Sequence, residues 1–199
     1  MTGAPVYRDN AGDISGKPIT LGAGALVYIE LRPSLDYTTI IGQGKPTVVY
    51  RGLFKGFSLP IYSTDNEEIF FTECVPQRWD AASDILVHAH CYLDTANTTK
   101  NFQLQLEWEH FTPGVDVVPA TSNTVPVETP TGTAAQFKTF SVTFTVDYDI
   151  DTPDNVAYDD NLSFRLRRIA ASANEIAGEV VITHLGIIFR RNKLGALAI

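Results

Sequence analysis

The sequence holds only two cysteines, Cys74 and Cys91. Two thiols are too few for a disulfide framework, so stability has to come from an apolar core, and a reducing cytoplasm is the expected place of synthesis. Basic residues are also scarce, 15 Lys and Arg against 23 Asp and Glu, for a formal net charge of -8. A surface so acidic opposes binding to a phosphate backbone, and no nucleic-acid partner is expected. No apolar run reaches the roughly 18 residues of a membrane-spanning helix, so no membrane partner is expected either. The chain begins MTGAPVYRDN, without a basic segment followed by an apolar one, and no secretory leader is expected. Long amphipathic helical periods, internal repeats, a G-x-S-x-G elbow and a glycine-rich phosphate cradle are all missing. Their absence excludes helical bundles, elbow-type serine hydrolases and P-loop or Rossmann nucleotide chemistry.

What is present is period-two alternation. In Asn101 to His110, Phe102, Leu104, Leu106 and Trp108 alternate with Gln103, Gln105, Glu107 and Glu109. Phe140, Val142, Phe144, Val146 and Tyr148 do the same against Ser141, Thr143, Thr145, Asp147 and Asp149. Successive strand side chains point to opposite faces, so each run has one core-facing row and one wet row, the mark of antiparallel sheets. Further strands are predicted over Ala25 to Leu31, Thr47 to Phe54, Phe57 to Tyr62, Glu67 to Val75, Asp84 to Leu93, Leu162 to Arg167 and Glu179 to Arg190. The first two look like a pair. The last is nearly continuous in apolar character, with a bend expected at Gly186. Asp94 to Lys100 reads as a hairpin loop pairing its two flanking strands, and Arg168 as a shift of phase. Thr112 to Gln136 is a long loop in which Thr124 to Glu128 reads as a short edge strand. About eight strands of this length predict an all-β fold, an antiparallel two-sheet sandwich, jelly-roll-like. Residues 57–199 would form it, with 1–56, rich in Gly and Pro, as an N-terminal arm or small β appendage.

Chemistry is thinly marked. His88 and His90 share a strand face about 7 Å apart, a spacing that allows convergence on a metal, with His110 or His184 to complete the set. Polar histidines on a sheet face are the plainer reading. Asp147, Asp149, Asp151, Asp154, Asp159 and Asp160 crowd one end, where a solvated acidic turn is the default reading and Ca²⁺ held near Asp149 and Asp151 the alternative. The EF-hand spacing fails, because Thr152 stands where the Gly should be and Tyr158 where the bidentate Glu should be. Glu107 and Glu109 offer paired carboxylates for glycoside hydrolysis, yet alternation alone explains them. No catalytic, cofactor-binding or metal residues are assigned, and no enzyme is expected. Arg165, Arg167 and Arg168, with Arg190 and Arg191, concentrate positive charge in an acidic chain. They are interface candidates along with Trp79, the clearest aromatic outside a strand; solubilising charge is the alternative.

The succession FSLPIYSTDNEEIFFTECVPQRWD, SDILVHAHCYL, FQLQLEWEHF, and LSFRLRRIAA before GEVVITHLGIIFRR resembles the β-sandwich structural proteins of tailed-bacteriophage virions. The resemblance spans roughly Phe57 to Arg191 and implies a jelly-roll component of the head decoration, cement or tail-associated type. On that footing the chain is a non-enzymatic virion protein made in the host cytoplasm. Its partners would be other virion subunits, the major capsid protein first, and it would self-associate as a homotrimer. The rival expectation is a carbohydrate-binding or host-receptor-binding module of a phage tail, whose mark would be exposed aromatics, with Trp79 as the first candidate.

Overall fold

The computed structural model describes residues 27–31, 35–36, 46–61, 67–77, 79–81, 83–119, 121–150 and 154–191. Its eleven strands are β1 (Val27–Leu31), β2 (Leu35–Asp36), β3 (Thr47–Arg51), β4 (Phe54–Leu59), β5 (Glu68–Cys74), β6 (Ile85–Leu93), β7 (Asn97–Phe111), β8 (Asn123–Ala134), β9 (Thr139–Val146), β10 (Asn161–Ile169) and β11 (Val180–Arg191). They make two antiparallel sheets. One runs β3-β4-β11-β6-β9 with β1 also on β11; the other runs β2-β5-β10-β7-β8. The all-β, two-sheet sandwich of jelly-roll kind is therefore observed, with more strands than the eight expected.

The sandwich closes because alternation supplies an inner row to each sheet. Ile85, Val87, Ala89, Cys91 and Leu93 of β6 and Val142, Phe144 and Val146 of β9 are buried in one core with Phe102, Leu104, Leu106 and Trp108 of β7. Each large side chain so buried contributes on the order of 1.5–3 kcal/mol. Phe102 meets Phe140 edge-on across the gap, centroids 5.7 Å apart. The two alternating runs of the sequence are thus the facing walls of the core, one in each sheet.

Several local expectations are corrected. Asp94 to Lys100 does not close a hairpin, since β6 pairs with β9 and β11 whereas β7 pairs with β8 and β10. The connector arches from one sheet to the other. β1 and β3 do not pair with each other but with β11 and β4, and β2 pairs with β5. The boundary expected after residue 56 falls inside β4, so the described part of that N-terminal region belongs to the sandwich. The edge strand foreseen at Thr124 to Glu128 extends over Asn123–Ala134 and carries Pro126 and Pro130, which an edge strand tolerates because its outer N–H groups need no ladder partner. The irregularity in β11 is a register shift between Ile182 and His184, not a bend at Gly186.

Arg168 does not break the phase of β10. It is 3% exposed and continues the inward row after Leu162, Phe164 and Leu166. Its guanidinium donates to Glu175 Oε1 at 3.0 and 2.6 Å, and to the carbonyls of Gly178 at 2.7 Å and Ile176 at 2.6 Å. It ties the β10–β11 connection to the core edge, which is why a charge is tolerated there.

Candidate functional site

The β3–β4 hairpin sits at one edge of the six-stranded sheet. Arg51 pairs with Phe54 across a two-residue turn, and Gly52 takes φ 59° at its first position, as a II′ turn requires. Further along, a Cβ on Gly56 would lie 2.5 Å from Val181 Cγ1 and 3.0 Å from the Ile182 carbonyl. Glycine is what lets β4 approach β11 this closely. The hairpin tip carries large apolar side chains into solvent, Tyr50 at 71%, Leu53 at 102% and Phe54 at 72% exposure.

Facing the tip is the turn between β8 and β9. There Phe137 holds φ 66°, which costs a non-glycine residue on the order of 1 kcal/mol. Its N–H donates to the Leu93 carbonyl at 2.8 Å, so the turn is pinned to the end of β6. The strained backbone brings the Phe137 ring to Tyr92, edge to face with centroids 6.0 Å apart. The Arg51 guanidinium lies over the Phe137 ring, 3.1 Å from its centroid. Burial pushes the Tyr92 hydroxyl up from its ordinary pKa, opposed by the nearby Arg51 charge. Between hairpin and turn lies a cleft of about 680 Å³ lined by Arg51, Gly52, Leu53, Phe54, Tyr92, Phe137, Thr139 and Thr183. That volume is in the range of small-molecule sites.

The cleft opens onto the outer face of the sheet. Thr139 heads an exposed row, Thr139, Ser141, Thr143 and Thr145 of β9, beside Tyr92, His90, His88 and Leu86 of β6 in direct register. At about 3.4 Å per residue this hydroxyl row runs roughly 20 Å. His184 of β11 stands opposite His90, ring centroids 5.0 Å apart. His88, His90 and His184 therefore share one face, whereas His110 belongs to the other sheet. Among the described residues no group of three or more His, Cys, Asp or Glu side chains is placed to hold a metal ion. Asp151 lies outside the described residues. Asp149 takes a carboxyl pKa above its ordinary value, first through its hydrogen bond with Asp147.

The other sheet spends its charge internally. On its outer face Arg165 binds both Glu68, at 3.4 Å, and Glu107. Arg167 reaches Glu107 at 2.7 Å, Glu68 at 3.8 Å and Gln105 Oε1 at 2.6 Å. Desolvation raises the Glu68 carboxyl pKa against the pull of both arginines. With Glu107 committed to two guanidinium groups, the Glu107 and Glu109 pair does not present a free nucleophile and acid. His110 Nδ1 lies 3.1 Å from Asp160 Oδ2, and Asp160 also accepts from Thr112 Oγ1 at 2.6 Å and Ala157 N at 2.7 Å. Through these bonds Asp160 fastens the turn at Ala157 to the end of β7.

The interface candidates do not come together as one patch. Arg165 and Arg167 belong to the ion ladder and Arg168 to the core edge. Arg190, 45% exposed in its side chain, pairs with Asp80 at 3.3 Å, and Arg191 bridges Trp79 backbone to backbone. Trp79 is 1% exposed, set edge-on to Tyr148 and Tyr158 at 6.1 and 6.2 Å. Its ring is closed to a partner because the residues after β5 bridge to the end of β11 and carry the ring into the core. By contrast Arg51, Lys55 and Lys138 have no carboxylate partner among the described residues; each lies over a ring, Phe137, Phe57 and Phe140 respectively. Sequence reasoning missed this hairpin by taking Thr47 to Phe54 as one strand. The signal was Gly52, placed between two strand-forming runs.

No family model and no curated protein matches the chain. Among solved structures it is similar to the xylan-binding module CBM15, with 11% identity over 83% of this chain and 97% of that one and a TM-score of 0.43. A carbohydrate-binding module specific for non-crystalline cellulose, CBM28, is 15% identical over 80% and 84%, with a TM-score of 0.40. A family 11 carbohydrate-binding module from Clostridium thermocellum, in complex with a β-1,3-1,4-mixed-linked tetrasaccharide, is 13% identical over 91% and 96%, with a TM-score of 0.33. Likeness at this level leaves ligand and activity to be argued from this chain's own residues.

Proposed function

We propose that the chain is a non-enzymatic carbohydrate-binding β-sandwich module. The observation that carries the proposal is the aromatic-walled cleft of Phe54, Tyr92 and Phe137 continuing into the exposed hydroxyl row of β9. Ring faces take the C–H surface of a sugar, and hydroxyl and imidazole groups beside them exchange hydrogen bonds with its hydroxyls. A flat row roughly 20 Å long suits a linear oligosaccharide better than a compact metabolite. No bond needs to break in such a site. Isothermal titration of the chain against a panel of oligosaccharides tests the proposal. Saturable binding that is lost in Phe137→Ala supports it, and absence of binding across neutral and acidic members overturns it.

A second reading, a virion structural component that assembles with copies of itself and with capsid subunits, is favoured by the apolar hairpin tip of Tyr50, Leu53 and Phe54. Exposed aromatic and aliphatic anchors are common at subunit contacts. Light scattering coupled to size exclusion separates the two. A mass that is a multiple of 21.9 kDa and falls to that of the monomer in Leu53→Asp supports assembly, and a monomer at high concentration counts against it.

A further inference from the structure

We infer that the cleft selects an anionic saccharide, one bearing carboxylate or sulfate groups, and that Arg51 is the residue that reads the charge. The inference rests on the carbohydrate-binding proposal. The Arg51 guanidinium carbon lies over the Phe137 ring, 3.1 Å from its centroid, and a guanidinium that lays its flat face on a π system keeps its N–H fork for a ligand. That fork meets carboxylate and sulfate in two parallel hydrogen bonds, which an ammonium cannot do. Arg51 lines the cleft, and no carboxylate among the described residues pairs with it. The arginines of the other sheet, Arg165, Arg167 and Arg168, follow the opposite pattern, each paired with a carboxylate of the chain. Lys55 and Lys138, next in sequence to Phe54 and Phe137, also have no carboxylate partner among the described residues and add positive charge at this end of an acidic molecule. The stack also holds the fork in place before the ligand arrives, so less rotamer freedom is lost on binding.

The test titrates the whole chain with an oligogalacturonate, its fully methyl-esterified neutral form, and a sulfated galactan oligomer of similar length. The acidic probe is expected to bind about tenfold or more tighter than its neutral ester, since a hydrogen bond to a charged acceptor is stronger than one to a neutral ester. The preference should shrink as salt is raised. In Arg51→Gln the acid-to-ester affinity ratio should fall toward unity. Arg51→Lys should keep only part of it, having charge without the planar fork. The galacturonate and sulfated arms decide which anion fits. Equal binding of acid and ester would overturn the selectivity and leave the carbohydrate proposal standing. A preference that survives Arg51→Gln would overturn the assignment to Arg51, and no binding in any arm would overturn the anionic inference while the wider oligosaccharide panel still tests the carbohydrate proposal by itself.

Discussion

Arg168→Met keeps the aliphatic stem of a buried side chain and deletes its charge. The Arg168 side chain is 2% exposed, and its partner Glu175 is 20% exposed. The substitution removes the donors to Glu175 Oε1 and to the carbonyls of Gly178 and Ile176. Removing one partner of a buried ion pair costs about 3–5 kcal/mol, and each buried acceptor left unmet about 1–3 kcal/mol. Water can reach Glu175, so the low end applies, and a loss of about 3–4 kcal/mol is expected. At about 2–4 °C per kcal/mol for a chain of this size, Tm should fall by roughly 6–16 °C. Urea unfolding followed by circular dichroism reads the change as a lower midpoint at unchanged slope. The double variant Arg168→Met, Glu175→Leu should recover part of the loss, because the orphaned carboxylate is gone. A single-variant loss below about 1 kcal/mol would refute the role given to Arg168, since that is an ordinary surface effect. A double variant no more stable than the single one would refute the cause.

Two further outcomes follow from burial. The Cys91 thiol is 1% exposed and pushed up to about 12 by desolvation, whereas Cys74 is exposed. Alkylation of the native chain at mild alkaline pH should therefore modify Cys74 alone, with Cys91 reacting only in denaturant; mass spectrometry counts the adducts, and native labelling of Cys91 would contradict the core as described. Glu68 has a folded carboxyl pKa raised above its ordinary 4.5, so the native state holds that proton to higher pH than the unfolded chain. Its contribution is fully present below pH 4.5 and is lost as pH rises through the folded value. Glu68→Gln should flatten the fall of stability above that pH in urea titrations, and an unchanged slope would show that Glu68 is not its source.

Much of the fold was legible because alternation is local. The rows Phe102 to Trp108 and Phe140 to Val146 each need only their own residues to define a buried side, and both are core walls. Which sheet each row joins was not legible. The link from Leu93 to Asn97 can turn back as a hairpin or arch across the sandwich, and the choice depends on β11 lying beside β6, a partner almost ninety residues away. Arg168 looked like a phase slip because charge argues for a wet face, and only the convergence of Glu175 with three backbone carbonyls, among them Leu59 at 3.4 Å, offsets its burial. Trp79 stood out in sequence for lacking a strand and proved to be sealed by Tyr148 and Tyr158. The cleft was invisible for a related reason. Phe54, Tyr92 and Phe137 come from three separate elements, and the left-handed backbone that brings Phe137 to Tyr92 leaves no mark in residue type.

Carbohydrate binding through the cleft requires that a saccharide touch the hairpin end of the six-stranded sheet. Amide NMR spectra of the labelled chain, recorded while an acidic or neutral oligosaccharide is added, report that position residue by residue. Saturable shifts are expected at Arg51 to Phe54, Tyr92, Phe137 to Thr139 and Thr183, continuing to Ser141 and Thr143. Shifts confined to the Glu68, Arg165 and Glu107 face of the other sheet, or no shifts with any saccharide, would contradict binding through the cleft.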